Sequence, residues 1–325
     1  MRAPLLHITI GFVSLLAATE CSAQVNNYPA GPVKMVVPYP PGGAVDVMAR
    51  VIAPKLSERL NGKFYVENLP GAGGDIGTRT VAVAPADGQT ILIISPDFVV
   101  RPLVKSNVPY DPVKSFVPVT LVATSPAMIS VNPSLPAKNI KELIALLKAN
   151  PGKYSFATPG YGTAPHLEGE RLYKMTYGAD VLHVPFQGFA PAVTSTIAGH
   201  TAILGAPIPL VAPHITGGTL RGLAVAGKKR SLALPDVPTL EEAGILNQEA
   251  GFAGGILVPA GTPKEIVSLL HRQIAEIVLL PDVREQLAKQ GFDPVANTPE
   301  EFAAWIKAEL NKWGEVVRAT NIKVE

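Results

Sequence analysis

The chain has 325 residues, 47% hydrophobic and 17% charged, with 29 Gly, 32 Pro and a single Cys. Proline is about twice its ordinary share and charge is well under the usual quarter, a composition too apolar for disorder and without the Gly-X-Y period of collagen. Its 28 basic and 26 acidic residues leave a net +2, with no basic excess to neutralise phosphates, so no nucleic-acid partner is expected; the length supports roughly two domains.

The first element is a targeting segment. Arg2 precedes an uncharged apolar stretch from Ile8 to Ala18, and Cys21-Ser22-Ala23 offers the small residues that a signal peptidase reads. The stretch is shorter than the roughly 20 residues a membrane span needs. Residues 1–23 therefore read as a signal peptide cleaved after about Ala23, which makes this an exported, periplasmic protein. A lipoprotein signal at Cys21 is the competing reading, with Glu20 standing where a small residue is normal. Cleavage after Ala23 removes the only thiol, and with it disulfides, a cysteine nucleophile and cysteine metal ligands.

From Val33 onward, strand-like and helix-like segments alternate. Val33–Val37 is a strand, and Val45, Met48, Ile52, Leu56 and Leu60 follow at helical spacing, with Pro54 expected to kink that helix. Phe64–Glu67 reads as a strand, Ile76–Ala84 as a helix and Thr90–Ile94 as a strand. Later come strand Tyr154–Ala157, helix Thr163–Tyr177, strand Val181–Val184, helix Ala190–Ala198 and strand Thr201–Leu204. The alternation predicts an α/β fold with largely parallel sheets. Thr239…Glu242, Thr262-Pro263…Glu265 and Thr298-Pro299…Glu301 read as capping boxes opening three helices. In the last two helices, Ile266, Leu270, Ile274 and Ile277, then Phe302, Trp305, Ile306, Leu310, Trp313 and Val317, line core faces. Val117–Val131 and Gly251–Val258 read as two crossings. They make the first domain discontinuous, 28–124 plus 250–325, with 125–249 inserted; a simple tandem is the alternative.

Three glycine-rich loops sit between a strand and a helix: residues 38–46, 70–77 and 158–166. That edge is where open α/β sheets bind ligands, and the helix that follows presents free N–H groups and a positive dipole end. Three such ends in one place would hold carboxylates without arginine. The nucleotide motifs fail. Gly71…Gly77 places its last glycine one residue late for a dinucleotide fingerprint, and Lys229 stands where a P-loop needs Ser or Thr. No Gly-x-Ser-x-Gly elbow or His-Glu-x-x-His pair occurs, and the histidines are not spaced for zinc. No catalytic residue, metal or cofactor is expected. His166, one turn into the helix after the third loop, is the histidine placed nearest a ligand.

These segments resemble the substrate-binding proteins of tripartite tricarboxylate transporters, the Bug or TctC family. The resemblance runs through PYPPGGAVD at 38–46, ENLPGAGGDIG at 67–77, YDPVKSFVPVTLVA at 110–123, HVPFQGFAPA at 183–192, ALPDVPTLEEAG at 233–244 and LVPAGTPKEIV at 257–267. It implies a type II periplasmic-binding-protein fold, two α/β lobes joined by two crossing strands. It further implies a small carboxylate ligand held by backbone amides, and integral-membrane transporter subunits as partners of a monomeric receptor. Carried over, the ligand-binding positions are Tyr39, Gly42, Gly43, Ala44, Gly71, Ala72 and Gly73. The second lobe contributes Gly160, Gly162, Thr163, His166 and Gln187, with Ser95 at the cleft edge. Ala206 stands where many members carry an acidic residue, and Phe189 where small residues are common. These departures imply a less polar distal wall and an organic acid with an apolar or aromatic body. Two other functions stay open: a sensor presenting its closed form to a membrane kinase, and an exported hydrolase or isomerase using His166.

Overall fold

A computed structural model describes residues 28–324, so the leader and Cys21 lie outside the described residues. The strands are β1 (Val33–Val37), β2 (Phe64–Asn68), β3 (Thr90–Ile94), β4 (Phe116–Val131), β5 (Ser155–Thr158), β6 (Leu182–Pro185), β7 (Ile203–Pro207), β8 (Arg221–Val225), β9 (Gly251–Pro259) and β10 (Asp293–Pro294). They run in the order β2-β1-β3-β9-β4-β7-β5-β6, with β8 and β10 also pairing β4. β1, β2 and β3 are mutually parallel, as are β5, β6 and β7. β9 and β4 run antiparallel to each other over Phe116–Pro126 and Gly251–Pro259. Beyond that pairing, β4 continues into the second sheet, where Ala127–Val131 pairs with β7. Of the two stretches expected to cross, the first is a 16-residue strand shared by both sheets and the second is its 9-residue partner, which pairs with β3 and β4.

The helices are α1 (Ala44–Arg59), α2 (Asp75–Ala82), α3 (Asp97–Val104), α4 (Ile140–Ala149), α5 (Ala164–Gly169), α6 (Phe189–Ile197), α7 (Ile208–Thr216), α8 (Lys264–Val278), α9 (Pro281–Lys289) and α10 (Pro299–Thr320). Parallel strands buried on both faces must be nearly continuous apolar runs, and Met35, Val36, Val37 and Ile91–Ile94 are all buried. Helices cover both faces. Met48, Ile52 and Leu56 of α1 join Ile266, Leu270, Ile274 and Ile277 of α8 in one core. Phe98 of α3 and Phe302, Ile306 and Trp313 of α10 form the opposite one. The expected α8 and α10 faces are thus core, and both tryptophans pack there, Trp313 donating its indole N–H to Glu309 at 2.7 Å.

Several local expectations change. α1 runs on through Pro54 as a single 16-residue element. The helix predicted over 163–177 is α-helical to Gly169 and then widens to a π-helix over Glu170–Thr176. Thr239 and Glu242 do make both capping hydrogen bonds, at 3.0 and 2.8 Å. They close a single turn, because Gly244 takes a left-handed φ of 81° and Ile245 turns back to Leu240. Thr262 donates its hydroxyl to the Pro259 carbonyl at 2.8 Å, and α8 begins after Pro263 without a side-chain cap. Thr298 and Glu301 form the full box. Four helices are not among those read from the sequence, α3, α4, α7 and α9; of these, α3 contains Pro102 and α7 contains Pro213 inside the helix, residues that lower helix propensity by about 3 kcal/mol in an interior position.

Candidate functional site

A cleft of about 490 Å³ opens where β4 passes from the first sheet to the second, with Ala127 of β4 and Gly251 and Phe252 of β9 in its lining. Its first wall is the loop after β1. Tyr39, Gly42, Gly43 and Ala44 line it, and α1 begins there with Gly43 as N-cap and no side chain satisfying the first turn. Free N–H groups and the positive dipole end of a 16-residue helix thus face the cleft, the arrangement that binds carboxylates. Asp46 is the brace. Its carboxylate accepts the Gly42 N–H at 2.9 Å, the Asn68 amide at 2.9 Å and Arg50 Nε at 2.9 Å. Burial pushes this carboxyl up, and the three donors outweigh it and hold it below the ordinary carboxylate range. The Tyr39 hydroxyl and Ser95 Oγ share a hydrogen bond of 2.7 Å beside this wall, and burial holds the phenol above its usual range, in its neutral form.

The rest of the lining is largely apolar. Phe189, Pro207, Pro209 and Leu210 line it together with Phe252 and Phe292, which pack in the same core as the start of α1, and with Ala206. No Lys, Arg or His lines the cleft among the described residues; Asp97 and Glu168 are its charged side chains. Asp97 accepts the Ala164 N–H at 3.0 Å, fastening the start of α3 to the start of α5, and burial raises its carboxyl.

Of the positions carried over from the resemblance, Tyr39, Gly42, Gly43, Ala44, Ser95 and Ala206 line this cleft. Gly71, Ala72 and Gly73 are not among its lining residues. Arg101 covers the last two: its Nη2 donates to the Ala72 carbonyl at 2.9 Å, and a Cβ on Gly73 would lie 2.9 Å from the guanidinium. Asp75 holds Arg101 in place through bonds of 3.2 and 2.8 Å, with Lys105 at 3.0 Å. Gly160 accepts the Thr163 hydroxyl at 2.8 Å, and Gly162 faces Val324 near the C-terminus. Gln187 is exposed before α6.

His166 is buried away from the cleft. Its Nδ1 accepts the Gly162 N–H at 3.1 Å, and its ring stacks on His183 at 3.7 Å. Burial, then His183 and Lys174, push its pKa down to about 3, and burial alone takes His183 to about 4. Both values lie below the ordinary 6.5, so the unfolded chain takes up protons that the fold refuses. Stability is therefore expected to be flat above pH 6.5 and to fall toward pH 4 and 3. Denaturant midpoints across that window check it. His166→Gln flattens the slope; an unchanged slope in the variant contradicts the assignment.

Asp97, Glu168, Phe252 and Phe292 were not anticipated. A signal existed for Glu168: Ala164, Pro165 and Glu168 share one helical face at i, i+1 and i+4, whereas His166 points to the other.

Residues 48–322 match the sequence profile described as "Tripartite tricarboxylate transporter family receptor". This chain belongs to that family. Protein BugT of Bordetella pertussis is 37% identical over 97% of each chain. A solved "periplasmic transporter" is 38% identical, with a TM-score of 0.80 over 92% of this chain and 100% of that one. The periplasmic binding protein BugD is 34% identical, with a TM-score of 0.77 over 92% and 100%. The R. palustris protein solved with adipate is 32% identical, with a TM-score of 0.80 over 91% and 99%. The TctC receptors are substrate-binding proteins, and this chain shares their periplasmic-binding-protein fold and solute-binding role.

Proposed function

We propose that this protein captures an organic acid with an apolar or aromatic body and delivers it to the membrane subunits of a tripartite tricarboxylate-type transporter. The observation that carries the reading is the make-up of the cleft lining, which joins the uncapped N–H groups of α1 to phenylalanine and leucine side chains and, among the described residues, holds no Lys, Arg or His. The ligand carboxylate sits against Gly43 and Ala44 beside the Tyr39–Ser95 pair, and the body fills the space between Phe189, Leu210, Phe252 and Phe292. Segments 28–124 plus 250–325 and 125–249 act as the two lobes, and ligand touching both favours the closed form. The protein works in the periplasm after removal of its leader near Ala23, binds without cofactor or metal, and performs no chemistry on its ligand. Adipate and malate, named for two related structures, support an acid ligand.

Mass spectrometry of acid co-purified with the protein, followed by thermal-shift screening, tests this. A ligand at about a hundred times its Kd stabilises by about 2.7 kcal/mol, a shift of several degrees. Aromatic and aliphatic acids are expected to give it; stabilisation by aspartate or citrate alone rejects the apolar body.

A further inference from the structure

The cleft of a carboxylate receptor carries a carboxylate of its own in a place where the α1 cradle does not use it. Glu168, on α5, lines both the cleft and a small inner cavity of about 40 Å³. One oxygen accepts the Gly251 N–H at 3.0 Å, where β9 begins. Among the described residues this is the single hydrogen bond to that carboxylate, so its second oxygen is left without a protein donor. The groups facing it are Lys312 and Glu309 from α10, Asp97 from α3, and Arg171 from the π-helical turn that continues its own helix. None of the basic ones lines the cleft. A half-desolvated carboxylate with one protein donor is completed by water, by a ligand donor or by a proton. Burial raises this one to about 7, poised between those outcomes.

We infer that Glu168 is a specificity-determining residue that selects, among organic acids with an apolar body, those bearing a cationic hydrogen-bond donor such as an ammonium group. This rests on the function proposed above. An ammonium supplies the missing donor and offsets the two acidic side chains, Asp97 and Glu168, that line the cleft. A second ligand carboxylate would instead face Glu168 and force one of the two to be protonated. An unsubstituted acid leaves the second oxygen unpaired.

Calorimetry with two matched sets of probes tests it: ε-aminocaproate, adipate and caproate, then para-aminomethylbenzoate, terephthalate and para-toluate. At about pH 8, where Glu168 is mostly ionised, the ammonium member of at least one set is expected to bind about tenfold or more tighter than its dicarboxylate partner. Glu168→Gln keeps the size and the acceptor for Gly251 but removes the charge, and is expected to erase that preference. A purely structural role for Glu168 would weaken all members together and leave their ratio unchanged. A dicarboxylate preferred by the wild type, or a ratio unmoved in Glu168→Gln, overturns the inference while leaving acid binding intact. Failure of all six probes to bind the wild type removes the function proposed above, and this inference with it.

Discussion

Ala44→Asp is expected to abolish ligand binding while leaving the fold as stable as the wild type, or slightly more so. Ala44 is the first residue of α1, partly exposed on the cleft wall, directly after the uncapped Gly43. A carboxylate there lies among the N–H groups that the ligand's carboxylate would engage. At a helix N-terminus an added negative charge is favourable by about 0.3–1 kcal/mol, so melting should not suffer. For the ligand the same charge is a fixed competitor. Losing two charge-assisted hydrogen bonds, at about 1.5–3 kcal/mol each, corresponds to a hundredfold or greater rise in Kd. Calorimetry with the co-purified acid and a melting curve on the same sample give both readings. Unchanged affinity moves the carboxylate site elsewhere; lost affinity with lost stability would mean that the substitution damaged the loop.

The α1 cradle is the part of the site most legible in the sequence alone. The loop after β1 is local: a short apolar strand, a glycine pair and an amphipathic helix must meet at the sheet edge, so the loop's place follows from residues adjacent in the chain, while Gly42, Gly43 and Ala44 are singled out within it by the family resemblance. The two long crossing strands are legible for the same reason. β-rich stretches of that length, even broken at Ser125-Pro126 and at Gly254-Gly255, have few places to go in an α/β fold. The second and third loops read equally well as loops, yet their neighbours decide what they face. Arg101, downstream in the chain, closes over Ala72 and Gly73 because Asp75 anchors it. Leu167 joins the core under α10, His166 stacks on His183, and only then does Glu168 point into the cleft. Which face of a short helix meets solvent, core or ligand is a tertiary property, and a single sequence carries it only as an i, i+4 hint. The prolines hid α3 and α7 in another way, by suppressing a local signal that packing of Phe98, Val99 and Val211 overrides.

The floor of the cleft makes the second large prediction. Gly251→Ala is expected to destabilise the protein by about 3 kcal/mol or more, the sum of a strained backbone and an overpacked contact. Gly251 begins β9 opposite Pro126 and has φ +146°, a conformation that side-chain-bearing residues rarely adopt. A Cβ here would press on the Ser125 carbonyl oxygen and lie 2.8 Å from both the Ala127 nitrogen and Pro126 Cα. All three are backbone atoms of β4, so no rotamer change relieves them and the two crossing strands must separate. Gly254→Ala is the control three residues along the same strand. Its Cβ meets the Met48 thioether first, a flexible side chain that shifts at a cost of about 1 kcal/mol. Denaturant midpoints should therefore rank wild type above Gly254→Ala, and Gly254→Ala above Gly251→Ala. Equal losses would show that the backbone contact is not what matters. Because Gly251 also donates its N–H to Glu168, strand separation at this point should weaken the ligand as well as the fold. The same glycine thus sets how closely the strands cross and holds the carboxyl group that reads the ligand.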